Sequence, residues 1–183
     1  DALFTGRGSA DLLLPKTLLS SLLPAPAWQW LAEQGARCEA RQRVQDIRAI
    51  AQGWAVDGEP FDAVVLACSA TEAARLADGL NPAWSASARA LRYEPIVTAY
   101  LRDANLQTRQ PMVLLPSNQA AALAPAQFAF DLGTLHGHDR SAGLWAWVAS
   151  SAAAALEGGL HACGQAMLAQ ARSAFPGHFT GPD

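Results

Sequence analysis

Lysine is almost missing from this chain: Lys16 is the only one among 183 residues. No phosphate-binding loop of the G-x-x-x-x-G-K-[ST] kind occurs, so a P-loop nucleotide enzyme is excluded. Charge of either sign is sparse, at 16% of residues with a formal net charge of −3. The densest basic group, Arg37, Arg41, Arg43 and Arg48, is interrupted by Glu39 and Asp46. A nucleic-acid binder would carry a basic stripe, and none is present. Cysteine is scarce and scattered, as Cys38, Cys68 and Cys163 with no C-x-x-C pair. That supports neither a zinc site nor a disulfide framework, and each cysteine reads as a buried free thiol in a reducing compartment. Neither a signal peptide nor an apolar run long enough to span a bilayer is found.

Glycine is present but not arranged as a dinucleotide fingerprint. The single G-x-G is Gly6-Arg7-Gly8, followed by Ser9, Ala10 and Asp11. No strand precedes it, as the fingerprint requires, so it reads as a loop. A G-x-S-x-G nucleophile motif is also missing. Cys68 is the best-placed thiol by position, at the end of an apolar run, but reads as a packing residue. His136 and His138 form an H-G-H in an expected turn between strands, with no partner at metal-ligand spacing. His161 sits beside an apolar stripe and reads as structural.

What is abundant is apolar surface. At 51% apolar residues the chain is globular, with length for about one domain or parts of two. "PAPAWQWLAEQGARCEARQRVQDIRAI" reads as a helix and then an extended stretch. Pro26 fits the first helical turn and Gly35 the position just past the end. Cys38, Ala40, Val44 and Ile47 mark the extended stretch, whose alternation slips. "GWAV" and "FDAVVLAC" read as strands joined at Asp57-Gly58. Ala63 to Ala67 are apolar without alternation, as in a strand covered on both faces. Ser69 or Thr71 then caps a helix to about Leu76, with Glu72 in its first turn.

After Asn81-Pro82 the texture changes. "YEPIVTAYLRD", "PMVLL", "QFAFDL" and "GLWAWVAS" read as four strands of an antiparallel or mixed sheet. Leu156, Leu160, Cys163, Met167 and Ala171 form a helical stripe, weakened near its start by Gly158-Gly159. Phe128 and Phe130 share one sheet face, as do Trp145 and Trp147. Two readings of these aromatics stay open: a sheet packed on helices, or an apolar wall for a large hydrophobic ligand.

The order of pieces resembles a known family over nearly the whole chain. "DLLLP", "LLSSLLPAPAWQWLAEQGARCEARQRVQDI", "FDAVVLACSATEAARLA", "LRYEPIVTAYLR", "QFAFDLG" and "GLWAWVAS" follow one another as in the amine-oxidase and phytoene-desaturase-like flavoproteins. Within them, "RYEPIVTAYLR" and "AFDLG" resemble the squalene-associated branch, the bacterial hydroxysqualene dehydroxylases of hopanoid synthesis. Members of the family begin with a strand and a G-x-G-x-x-G that holds the FAD pyrophosphate, and end with a further flavin-contacting segment. Neither is in this sequence, which therefore reads as a central piece of such an enzyme, inactive by itself.

The resemblance implies an α+β fold. Residues 1–88 would come from the middle of an FAD-binding α/β domain. Residues 89–183 would be a substrate-domain sheet, mixed or antiparallel, packed with helices. Val44, Ala67, Cys68 and Ser69 would approach FAD, Val44 at the adenine end. Tyr93, Pro95, Ile96 and Tyr100 would lie where the substrate domain rejoins the flavin side. Phe128, Phe130, Trp145 and Trp147 would line an apolar substrate cavity. The implied reaction is reductive dehydroxylation of a long isoprenoid, hydroxysqualene to squalene, in the bacterial cytoplasm or at the inner membrane face, with peripheral membrane contact. No acid or base can be named. A carotenoid desaturase or amine oxidase of the same superfamily is one alternative, and a non-catalytic lipid-binding module is another of a different class.

Overall fold

The computed structural model describes residues 6, 8–9, 11–116, 123–137 and 141–181. His138 and the residue between Gly6 and Gly8 lie outside the described residues. The fold is α+β, with one three-stranded and one four-stranded antiparallel sheet. The chain divides into two compact units, residues 35–93 and residues 1–34 with 94–183. The sequence led us to expect a division at 88 instead, with residues 1–34 grouped with the first part.

In the 35–93 unit, β1 (Ile47–Ala49), β2 (Trp54–Val56) and β3 (Glu59–Phe61) form a meander in the order β1-β2-β3. Asp57 and Gly58 both have positive φ (47° and 91°), the geometry of a tight turn matched to strand twist. Gly53 turns the chain between β1 and β2 with φ 90°, where a side chain would run into the Phe61 carbonyl. The hairpin partner of β2 is therefore 59–61 and not the expected "FDAVVLAC". Residues 62–68 are in no strand, and Val65 is 87% exposed. Apolar composition there looks the same whether or not a neighbouring strand supplies hydrogen bonds, and among the described residues none does. The expected extended stretch from Cys38 likewise becomes a strand only at Ile47.

α3 (Ala70–Ala77) starts at Ser69, whose Oγ accepts from the Glu72 N–H at 3.3 Å. α4 (Pro82–Arg89) was not anticipated. Its start is built from Asn81, whose side chain accepts from the Trp84 N–H, and Pro82, whose missing N–H costs nothing in the first turn. Both helices pack through small buried residues, Ala73, Ala74 and Ala77 on α3 and Ser85 and Ala88 on α4.

In the other unit, α1 (Leu19–Leu22) and α2 (Pro24–Glu33) bury no residue. Pro24 and Pro26 fall in the first turn of α2 and Gly35 follows its end with φ 84°. The sheet is β4 (Val97–Arg102), β7 (Leu144–Ala149), β6 (Phe128–Asp131) and β5 (Met112–Leu114), in that spatial order. The short helix α5 (Leu132–His136) follows β6, so His136 ends a helix rather than sitting in a plain turn. Gly137 caps it in the left-handed region. A single 3-10 turn (Ala154–Leu156) leads into α6 (Gly159–Ala174).

The core lies between one sheet face and α6. Trp145 and Trp147 are fully buried with Cys163, Met167 and Ala171 of α6 and with Phe179. The ring of Phe175 packs 5.8 Å from Trp145 and 6.1 Å from Trp147, and Phe179 stands edge-on to both indoles. Such aromatic pairs contribute roughly 0.5–1.5 kcal/mol each beyond area burial. Leu160 is 68% exposed and outside the expected stripe, because α6 begins only at Gly159 and its packed part starts at Cys163.

Two side chains tie loops to this core. The Gln170 amide donates to the Ala126 carbonyl (2.8 Å) and accepts from the Ala126 N–H (2.9 Å), as a strand neighbour would. Asp103 accepts from the N–H groups of Phe179 (2.7 Å), Asn105 (2.8 Å) and Leu106 (3.1 Å), with His178 Nδ1 at 3.3 Å. These bonds, led by that of Phe179, hold the Asp103 carboxyl below the usual carboxylate range against the opposing effect of burial.

Candidate functional site

Three of the four residues expected near a cofactor come together in the 35–93 unit. Val44, Ala67 and Cys68 line a cleft of about 340 Å3 with Ile47, Val56 and Leu76 on its apolar side. Ser69 stands next to it as the cap of α3. Cys68 is exposed, not the buried thiol expected, whereas Cys163 is buried and its thiol is pushed up by that burial. Cys38 is half-buried.

Polar residues at the same cleft are Arg43, Glu72 and Arg75. Glu72 receives Arg43 at 2.6 Å and Arg75 at 3.1 Å. The two guanidiniums, Arg43 first, hold its carboxyl below the usual range despite burial. Arg75 also donates to the carbonyls of Val44 (2.6 Å) and Gln45 (3.0 Å). From the hairpin turn, Asp57 Oδ1 accepts from the N–H groups of Gln45 (2.9 Å) and Asp46 (2.8 Å). The segment 44–46 is thus held by two side chains and by one backbone bond, from the Asp57 N–H to the Asp46 carbonyl at 3.0 Å. Sequence reasoning missed Arg75. Its i,i+3 spacing from Glu72 was the available signal.

Along 63–68 the backbone N–H and C=O groups have no hydrogen-bond partner among the described residues. The Val44 N–H is in the same condition. The cleft therefore combines an apolar floor with a rim of free peptide donors and acceptors. That combination suits a flat heteroaromatic ring with hydrogen-bonding edges. Its volume is near the bottom of the roughly 300–1,000 Å3 range of small-molecule sites, so it fits one ring system and not a whole dinucleotide.

The aromatic residues expected to share a cavity are split between two sheet faces. Trp145 and Trp147 point into the core. The register sets Tyr100, Ala146, Phe130 and Met112 in one row, and Thr98, Val148, Phe128 and Leu114 in the next, on the opposite face. That face is apolar and open: Tyr100 is 65% exposed and Phe128 and Phe130, 6.5 Å apart, are half-buried. Alternation puts Ile96, also exposed, on the same side. A cavity of about 630 Å3 opens at one end of it, lined by Leu114 and Phe128 of the face and by Pro116, Gln127 and Ser150. Pro95 is occupied structurally, its carbonyl accepting from the Ala152 N–H at 2.9 Å. Tyr93 is exposed in the 35–93 unit.

Among the described residues no cluster of three His, Cys, Asp or Glu side chains is arranged to hold a metal ion. No described helix is long and apolar enough to cross a membrane. No family model matches the chain, and no curated protein matches it.

Proposed function

We propose that this chain is the central part of an FAD-dependent oxidoreductase acting on a long isoprenoid, with hydroxysqualene as substrate and squalene as product. The observation that carries the reading is the cleft, where Val44, Ala67 and Cys68 meet around a free peptide rim. The residues present suit the adenine end of the cofactor, and a pyrophosphate-binding glycine turn would have to come from elsewhere in the protein. The run 63–68, rich in Val and Leu yet without strand partners, supports membership of a larger sheet completed by other segments.

The net change is exchange of an allylic hydroxyl for hydrogen: R–OH, a proton and a hydride give R–H and water. FAD, when bound in its reduced form, supplies the hydride. This chain's own share is binding and exclusion of water. Tyr100, Phe128, Phe130, Leu114 and Val148 offer an apolar wall along which a polyprene chain can lie, and burial of that chain's surface drives the contact. These five side chains carry no charge; Arg102, two residues beyond Tyr100 on the same face, ends the wall with a guanidinium that donates to the Ala142 carbonyl.

The same wall favours a second reading, a lipid-binding module without redox chemistry. The visible absorption spectrum of the purified longer protein, recorded beside that of this chain, separates the two. A flavin spectrum in the longer protein and none in this chain is the expected result, followed by squalene formation from hydroxysqualene under reducing conditions. A longer protein that stays colourless after FAD is added refutes the flavoenzyme and leaves the lipid module.

A further inference from the structure

We infer that Arg75 is the positioning residue of the cleft: it sets the peptide edge at Val44 against which an adenine ring docks. The inference rests on the cofactor reading above. Its basis is what holds the segment 44–46. One backbone bond, from the Asp57 N–H to the Asp46 carbonyl, continues the hairpin, and beyond it Arg75 alone takes the carbonyls of Val44 and Gln45 from the α3 side. Asp57 alone takes the N–H groups of Gln45 and Asp46 from the hairpin side. Glu72 in turn fixes the Arg75 fork through Nε and Nη2, both at 3.1 Å.

The consequence is geometric. With its two carbonyls drawn toward α3, the segment leaves one peptide group of a lining residue uncommitted, the Val44 N–H. A ring nitrogen of adenine is an acceptor of the right kind for it, and Ile47, Val56 and Leu76 supply the apolar floor. A lysine at 75 keeps the charge but has a single point of donation in place of a planar fork. Its three donors sit on one nitrogen and cannot reach the spread of positions that Nε, Nη1 and Nη2 of Arg75 serve. The segment would then relax and the N–H would lose its aim.

The test uses this chain with ADP as the probe, by NMR titration. Wild type should bind ADP through the amides of 44 and 64–68. Arg75→Lys should weaken binding roughly five- to tenfold, about the worth of one misplaced hydrogen bond, with a folded spectrum. In Arg75→Ala, added guanidinium ion should restore part of the affinity, which a purely structural loss would not allow. Arg89→Lys, a comparable guanidinium clamp to Asp78 away from the cleft, should bind ADP as wild type does. Equal ADP affinity in wild type and Arg75→Lys overturns the assignment while the flavin reading stands. An Arg75→Lys chain that is unfolded moves the decision to the guanidinium experiment, where failure of rescue overturns it. Absence of ADP binding by wild type also overturns it, and the spectrum of the longer protein then decides the flavin reading separately.

Discussion

Replacing Asp103 by alanine removes a hub at which one carboxylate serves the N–H groups of Phe179, Asn105 and Leu106 and touches His178. Two of those donors belong to buried residues, Leu106 and Phe179. A hydrogen bond to a charged acceptor contributes about 1.5–3 kcal/mol, and a buried N–H left without a partner costs about 1–3 kcal/mol. Asn105 is exposed and can turn to water, so its loss counts for little. Release of Phe179 also loosens its edge-on packing against Trp145 and Trp147. The expected destabilisation at pH 7 is about 2–4 kcal/mol, read from urea unfolding in the near-ultraviolet circular dichroism. The sign with pH follows from the depressed carboxyl: its contribution is complete above the unfolded value of about 3.9 and disappears as pH falls through the lower folded value. The gap between wild type and variant should therefore narrow only below about pH 4. A difference under about 0.5 kcal/mol at pH 7, or a gap that closes already near pH 6, refutes the hub argument.

Met167→Ala should cost about 2–5 kcal/mol by leaving a cavity under Trp145 and Trp147, whereas Leu160→Ser, at an exposed first-turn position, should stay within about 0.5 kcal/mol; the same urea titrations compare them. Gly143→Ala should destabilise by more than about 1 kcal/mol, because φ is 65° and the new Cβ would lie 2.6 Å from Ala104 Cα. Thermal melts at matched concentration will show whether it does. In a maleimide labelling time course, Cys68 should react in the native chain and Cys163 only on unfolding, since burial shields its thiol and raises it.

The large sheet was legible because its strands carry β-branched and aromatic residues between strong turn signals. Phe128 with Phe130, and Trp145 with Trp147, follow from alternation alone. That the two pairs face opposite ways does not, since it depends on Phe128 lying across from Val148 and not from Trp147. Register is a non-local property, and neither strand contains it. Asn81-Pro82 has the composition of a chain break and of a helix start alike, so it does not by itself announce α4. In 63–68 the composition of a buried strand was visible, but burial depends on neighbours that composition does not name. The i,i+3 pairing of Arg75 with Glu72 has a local signature, but the backbone carbonyls that Arg75 holds lie about thirty positions away and have none. Val44, Ala67 and Cys68 are expected together only from the resemblance, and their meeting at one cleft with Ile47, Val56 and Leu76 is a tertiary property that no local pattern contains.

The pairing of Gln170 with Ala126 makes α6 behave partly like a strand. An apolar helix face can slide by a turn over a sheet and find comparable packing, because methyl groups are interchangeable. A side-chain amide that reproduces both halves of a peptide's hydrogen bonding has only one docking position. The helix is therefore indexed against the sheet by a polar pin, while Cys163, Met167 and Ala171 fill the volume around it. Repacking those three apolar positions should leave the alignment of α6 intact so long as Gln170 stays.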